Sequence, residues 1–301
     1  MSHNSQPPGS LERILPLIAT LRQHFHQQLI ESKVLTVSNE GIASNADRGQ
    51  QFSRTVALQI ADELNAPHGT SKVSGQQAGR NFEAAVEHFL SAAFGQLEHL
   101  RPGKWNIYNF GSSRSSYHLG RYEPYRHLNQ LADLTRNNPA LAAALGNSYD
   151  IAPDVVVLRF PVSDSEINKN APLVGAGSEA RLTPLREDNQ RHQIVHAVIS
   201  CKWTLRSDRA QNARSEALGI IRNRKGRTPH IVVVTGEPSP SRIASLALGT
   251  GDIDTVYHFA LDELIRAVES SENSEATMML HTLIDGNRLR DISDLPFDLA
   301  V

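Results

Sequence analysis

The sequence predicts an α/β protein built on a central mixed β-sheet flanked by helices. Three observations carry that class. Helical periodicity dominates the first half of the chain. Short, almost wholly apolar runs at residues 152–160, 194–204 and 231–234 read as strands covered on both faces. A helical segment separates the last two runs, so the order after the first helices is strand, excursion, strand, helix, strand, that of an α/β domain.

In chain order, residues 1–10 read as a flexible tail. From 11 to about 35, Leu11, Ile14, Leu15, Ile18, Leu21, Phe25 and Leu29 recur at helical spacing, with Pro16 near the start. Residues 41–48 carry Ser, Asn and Asp, whose side chains compete with regular backbone bonding, and read as a loop. Residues 52–64 are expected to be helical. A stronger helix covers 78–100, with Phe82, Ala85, Val86, Phe89, Leu90, Ala93 and Leu97 on one face, and Pro102-Gly103 stops it. A strand is expected at 105–110 and a helix at 122–145. After the strand at 152–160 comes a polar, turn-rich excursion over 161–193. The strand at 194–204 leads to a helix from Ser207, placed as its cap, to about Asn223. A strand at 256–260 and a helix ending near Ser270 follow.

Composition narrows the function. The chain has 301 residues, 40% hydrophobic and 21% charged, enough for a substantial core and unlike a disordered protein. No apolar run reaches the roughly 18 residues of a membrane helix, and the first residues lack the pattern of a signal peptide, so a cytoplasmic protein is expected. The one cysteine, Cys201, excludes an intramolecular disulfide and a thiolate zinc cage. A net charge of -2 is not that of a typical nucleic-acid binder. Between Lys202 and Arg227, however, eight basic residues face only Asp208 and Glu216, a local charge of +6 that could hold phosphates or simply form a solvated helix face.

The chemistry gathers around that segment. Strand alternation sets Ser200, Lys202 and Thr204 on one side and Cys201 and Trp203 on the other. A lysine ending a strand is commonly just solvated, but here it follows a buried run. Glu216 lies three residues after Ala213 and four before Ile220, and so shares the inward-leaning stripe of its helix. A carboxylate there needs a partner, either a cation such as Lys202, Arg209 or Arg214, or a metal. Asp154, after Pro153, heads an apolar strand; alone it reads equally as a turn residue. Mg²⁺ characteristically takes one or two carboxylates plus phosphate and water, which Asp154 and Glu216 could supply, with Lys202 activating water or stabilising phosphate charge. Arg206, Asp208 and Arg209 stand at a helix start, where arginine suits guanine O6 and N7 and aspartate suits cytosine N4; a salt-bridged helix terminus is the plainer alternative.

With those residues in view, the segment 196–261 strongly resembles the NgoMIV-type restriction endonucleases, a branch of the PD-(D/E)xK nuclease superfamily. The resemblance rests on Ser200-Cys201-Lys202-Trp203-Thr204, on the run from Arg206 through Glu216, on Arg222-Asn223-Arg224-Lys225-Gly226-Arg227, on Pro229 through Thr235 and on Ala247 through Asp254. Weaker likeness reaches Ser44-Asn45-Ala46-Asp47, Phe82-Glu83-Ala84 and Asp291 through Pro296. It implies a restriction-endonuclease-like core, about 151–265, within one nuclease domain spanning 11–301, and Mg²⁺-dependent cleavage of double-stranded DNA at a CCGG-containing palindrome. Asp154, Lys202 and Glu216 would be catalytic, the second acid standing 14 positions after the lysine on the following helix. Glu83 would be an accessory acid. Asp154, Glu216 and the Cys201 carbonyl would hold the metal. Arg206, Asp208 and Arg209 would read the central CCGG, and Asp47 would contact the outer base pair. The resemblance further implies GCCGGC cut after the first G, and a homotetramer arranged as a dimer of dimers.

Three other readings are weaker. His196 and Cys201 fall on opposite sides of a strand, so a thiol hydrolase is not expected. His192 and His196 have helical metal spacing but lie in a predicted strand. Gly249-Thr250-Gly251 reads as a turn rather than a phosphate cradle. A DNA-binding protein that has lost catalysis and a non-specific repair or junction nuclease stay open as functional alternatives.

Overall fold

The computed structural model describes residues 15–111, 118–136, 138–140, 143, 151–249 and 251–301. The expected tail over 1–10 lies outside these residues, as does most of the expected helix beyond Arg136. The expected sheet is present, with six strands in the order β1 (Trp105–Asn109), β2 (Val155–Arg159), β3 (Ile194–Lys202), β4 (His230–Thr235), β5 (Thr255–His258) and β6 (Leu289–Asp291). The first three pair antiparallel and β3 to β6 run parallel, so the sheet is mixed. Parallel pairing requires crossovers, and helices supply them: α6 (Ser207–Asn223) joins β3 to β4, and α7 (Pro240–Ala247) joins β4 to β5. The wholly apolar run anticipated from sequence lies in β4, where Ile231, Val232, Val233 and Val234 are all in the core.

The N-terminal helices cover the sheet. α1 (Leu17–Glu31) packs on α3 (Gly75–Phe94), which lies against β1, β2 and β3, while α2 (Gln51–Glu63) packs on α8 (Leu261–Glu269). Phe82, Val86, Phe89 and Leu90 form the buried stripe of α3. Several predicted boundaries move for local reasons. α1 starts only after Pro16, and the chain leaves it at Ser32, where Lys33 adopts φ 58° and cannot continue a right-handed helix. α3 begins earlier than expected because the Ser74 hydroxyl caps it by accepting from the Gln77 N–H. Residues 122–125 are not helical: Tyr122 is extended, Glu123 bridges to Ile194, and α4 covers Arg126–Arg136. The excursion after β2 includes a short helix, α5 (Asp164–Ile167), held by the Arg186 guanidinium on the Asp164 carboxylate.

α7, α9 (Ser274–Asp285), β6 and α10 (Leu295–Asp298) were not expected. β6 has only three residues, too few for a periodicity, and α7 starts in the Pro-Ser-Pro of a sequence that resembles a turn. It is helical because Pro240 occupies its first position, where no N–H is required.

Two core histidines make the fold sensitive to acid. Burial holds His196 down to about 3 and His258 down to about 4, against an ordinary 6.5. His196 bonds the Leu299 carbonyl at 2.7 Å, and His258 Nδ1 accepts from the Ala260 N–H at 3.1 Å. Below pH 6.5 the unfolded chain takes up protons that the folded imidazoles refuse, so stability is lost as pH falls toward 4. One buried carboxyl, Glu237, is raised to about 7 and works in the opposite sense between 4.5 and 7, but the two imidazoles outweigh it. The melting temperature is expected to drop from about pH 6.5 to pH 4. A His258→Gln variant should show a shallower drop, on the order of 3 kcal/mol less across the window. A melting temperature unchanged over that range would contradict this account.

Candidate active site

Antiparallel pairing brings the head of β2 beside the tail of β3. The register joins Val155 to Ile199, so Asp154 sits next to Ser200, Cys201 and Lys202. Its carbonyl accepts from the Phe110 N–H at 2.8 Å, which fixes the turn into the strand. Asp154 is 2% exposed. Its Oδ2 accepts from the Cys201 N–H at 2.8 Å and from Lys202 Nζ at 3.0 Å. Burial works against the charge of Lys202, but the nearby Asp154 and Glu216 carboxylates more than offset it and raise its pKa. Lys202 is therefore an ammonium directed at two acids.

The expected alternation is visible in what surrounds the strand end. The Cys201 thiol is pushed well up by burial and by Asp154, so it is an inert core group. Trp203 packs its indole between Phe82 and Phe259, with ring centroids 5.1 and 5.0 Å away. Gly236 fits beneath that indole, where an added Cβ would lie 2.4 Å from Trp203 Cε3. The Lys202 carbonyl accepts from the Thr235 hydroxyl at 2.7 Å. The lysine is thus held from its main chain as well as from its tip.

α6 delivers Glu216. Ala213, Ala217 and Ile220 form its buried stripe, and Glu216 is half-buried at the stripe's edge, close enough to Lys202 to influence its charge. The helix cap position belongs to Arg206 rather than Ser207. Glu83, on α3, is buried at the same place. Gly111 accommodates it: a Cβ there would come within 1.8 Å of Glu83 Oε2. Asp154, Glu83 and Glu216 therefore approach the Cys201–Lys202 corner from three elements.

Glu83, Cys201, Lys202 and Glu216 line a groove of about 1080 Å³. Its walls include Lys33, Arg48, Lys72, Arg80, Lys202, Arg206 and Arg242, against the carboxylates of Asp47, Glu83 and Glu216. That excess of cations suits a polyanion. From the basic run of 202–227, Lys202 and Arg206 reach these walls. Arg214 instead donates to the Ser245 carbonyl at 2.9 Å, and Arg224 bonds the Ile221 carbonyl. Arg222 to Arg227 lie at the far end of a helix roughly 25 Å long. The run is therefore not the single phosphate patch its net charge suggested, and the groove takes most of its cations from the N-terminal third.

Arg206 is exposed at the start of α6, on the groove floor beside Asp47 and Arg242. The side chains of Asp208 and Arg209 lie outside the described residues. Asp47 accepts the Gly49 N–H at 3.0 Å and pairs with the Arg242 guanidinium, and both hold its pKa below the usual carboxylate range. Arg242 was missed from the sequence. Glu237 was missed too: it is 1% exposed, and burial raises it to about 7. Gly251 has φ 75°, a left-handed backbone that favours glycine, while Thr250 of the Gly-Thr-Gly stretch lies outside the described residues. His196 is a buried core residue whose ring nitrogen bonds the Leu299 carbonyl.

The donor set fits a hard divalent cation. Asp154, Glu216 and the Cys201 carbonyl offer oxygen, with no thiolate or imidazole among the described residues of the corner. Among the described residues no three His, Cys, Asp or Glu side chains form a ready cage.

A mixed sheet with an acid and a lysine on adjacent strands, above a cation-lined groove, is the framework of a restriction-endonuclease-like protein. The NgoMIV restriction enzyme family model matches residues 25–301. The type II restriction enzyme NgoMIV of Neisseria gonorrhoeae is 49% identical over 286 residues, covering 95% of this chain and 99% of that protein. The chain belongs to the NgoMIV restriction enzyme family. A solved restriction endonuclease PspGI–substrate DNA complex aligns over 95% of this chain and 92% of its own at 13% identity. Its TM-score is 0.26, a level from which nothing about this fold follows.

Proposed function

We propose that this chain is a type II restriction endonuclease that hydrolyses double-stranded DNA at a CCGG-containing palindrome. The observation that carries this reading is the contact of Asp154 with Lys202 at 3.0 Å, at the foot of a basic groove, in a chain with family likeness along almost its whole length. A catalytically silent binder has no need for a buried acid beside a lysine at the place where a phosphate would lie. We take residues 11–301 as one nuclease domain with its core at about 151–265, acting in the cytoplasm. No helix among the described residues is long and apolar enough to cross a membrane.

The groove cations hold the two backbones, a salt-sensitive contribution. Asp154, Glu216 and the Cys201 carbonyl would hold the metal, which we take as Mg²⁺; when bound, it supplies Lewis-acid charge to the attacked phosphate and the departing 3′ oxygen. Asp154 also orients Lys202, whose ammonium faces the phosphate and stabilises the charge that builds there as water attacks in line. Glu83 lies behind this corner as the accessory acid. The products carry 5′-phosphate and 3′-hydroxyl ends.

Arg206, Asp208 and Arg209 would read the inner CCGG from the α6 entrance, and Asp47 would meet the outer pair. We take the site as GCCGGC and the active form as a homotetramer engaging two sites together. Arg206→Ala is expected to lose ~1–3 kcal/mol of discrimination at one inner base pair, if its guanine contact is bidentate. Cleavage rates on cognate and singly altered duplexes measure this, and an unchanged ratio would remove Arg206 from readout.

Incubating plasmid DNA with the protein and Mg²⁺ tests the function itself. Discrete fragments that disappear under EDTA are the expected result. A smear would point to a non-specific nuclease, and retention on DNA without cutting would point to a binding protein.

A further inference from the structure

Glu237 is a carboxylate with almost no access to solvent, outside the cutting corner, and the function proposed above gives it no task. Burying such a group is costly, and a residue of apolar character would fill the same space without that cost. Its contacts show what it does there. Oε2 accepts the Leu205 N–H at 2.8 Å, one residue before Arg206. Oε1 accepts the Ser239 N–H at 3.2 Å, at the cap of α7, and lies 3.9 Å from Arg242 Nη1. Its own N–H donates to the Thr235 hydroxyl at 3.2 Å, the same hydroxyl that bonds the Lys202 carbonyl. The carbonyl of the preceding residue, Gly236, accepts from Asn45 Nδ2 at 2.7 Å, in the loop that carries Asp47.

We propose that Glu237 is a positioning residue for sequence discrimination: its two carboxylate oxygens fix the backbone that presents Arg206 and the helix start that presents Arg242, Asp47's partner. The Glu237 side chain ties the α6 entrance to the α7 entrance, and the backbone of Gly236 and Glu237 ties both to the Asp47 loop and to the strand that ends in Lys202. Reading and cutting elements are then clamped together before DNA arrives, a preorganisation that favours the correct duplex over one that would need the loops to shift.

The inference rests on the DNA-reading role given above to Arg206 and Asp47, and the test separates the two. Cleavage rates are measured for a GCCGGC duplex and for duplexes altered at one inner or one outer base pair, with wild type, Glu237→Ala, Glu237→Gln and Asp291→Asn. The last variant disturbs a buried cluster with Arg22 that does not line the groove, so it reports general destabilisation. The ratio of cognate to altered rate does not depend on how much of each preparation is folded. In Glu237→Ala that ratio should fall at least about tenfold, the worth of a lost directional contact. Glu237→Gln, which keeps one acceptor oxygen, should fall between Ala and wild type, and Asp291→Asn should match wild type. An unchanged ratio in both Glu237 variants overturns the inference, as does an equal fall in Asp291→Asn. A wild type indifferent to CCGG overturns the underlying reading instead.

Discussion

Asp154→Ala is expected to reduce DNA cleavage by at least about a thousandfold while leaving duplex binding nearly intact, since a single preorganised charge at a developing transition state is worth that much. The contrast follows from where the residue sits. Asp154 is buried at the strand junction and forms no part of the groove wall, whereas the cations that would grip the backbones are spread along that wall. Removing the carboxylate deletes one expected metal ligand and releases Lys202 from its 3.0 Å contact. Asp154→Asn sharpens the result. The amide oxygen can still accept the Cys201 N–H, so the fold keeps that bond, yet the charge is gone. Both variants should bind and neither should cut. Asp154→Ala should also melt lower, because Lys202 is left half-buried without its paired counter-ion. Gel-shift and cleavage assays on one duplex decide it, and cutting at the wild-type rate by Asp154→Asn would refute the metal-site assignment.

Lys202→Met should lower the cleavage rate by roughly a hundredfold to a thousandfold with little change in binding. Methionine keeps much of the aliphatic stem that passes the buried strand end but cannot donate to the phosphate. Asp154 then loses a cation and retains the Cys201 N–H, so a moderate loss of stability accompanies the loss of rate. The kinetic signature separates this from a binding defect: saturating DNA should not restore the rate. Restoration at high DNA concentration would assign Lys202 to grip rather than to chemistry.

Much of this was legible from the chain, for physical reasons. β3 and α6 could be read in order because an apolar strand leads directly into a helical segment, and the phase of that helix set Glu216 on the stripe of Ala213 and Ile220. Asp154 could be seen to head an apolar run, but its meeting with Lys202 depends on the pairing of β2 with β3, which periodicity does not give. What could not be read was the tertiary meeting of distant, polar segments. Asp47 and Arg242 are 195 residues apart and pair only because β4 and α7 bring the Gly-Glu-Pro-Ser-Pro turn under the 41–48 loop. Glu237 looks like a loop acid in sequence and proves to be among the most buried acidic side chains of the described residues. The basic run misled for a related reason: a helix distributes charge along its length, and local net charge says nothing of where each side chain ends.

The central claim is that one corner of the sheet cuts the duplex at a position set by the groove beside it. Sequencing both ends of the fragments produced from plasmid DNA in Mg²⁺ tests this most directly. The account predicts that every end maps to GCCGGC, cut after the first G, with a 5′ CCGG overhang and a 5′-phosphate. Ends scattered without a common CCGG core would contradict it.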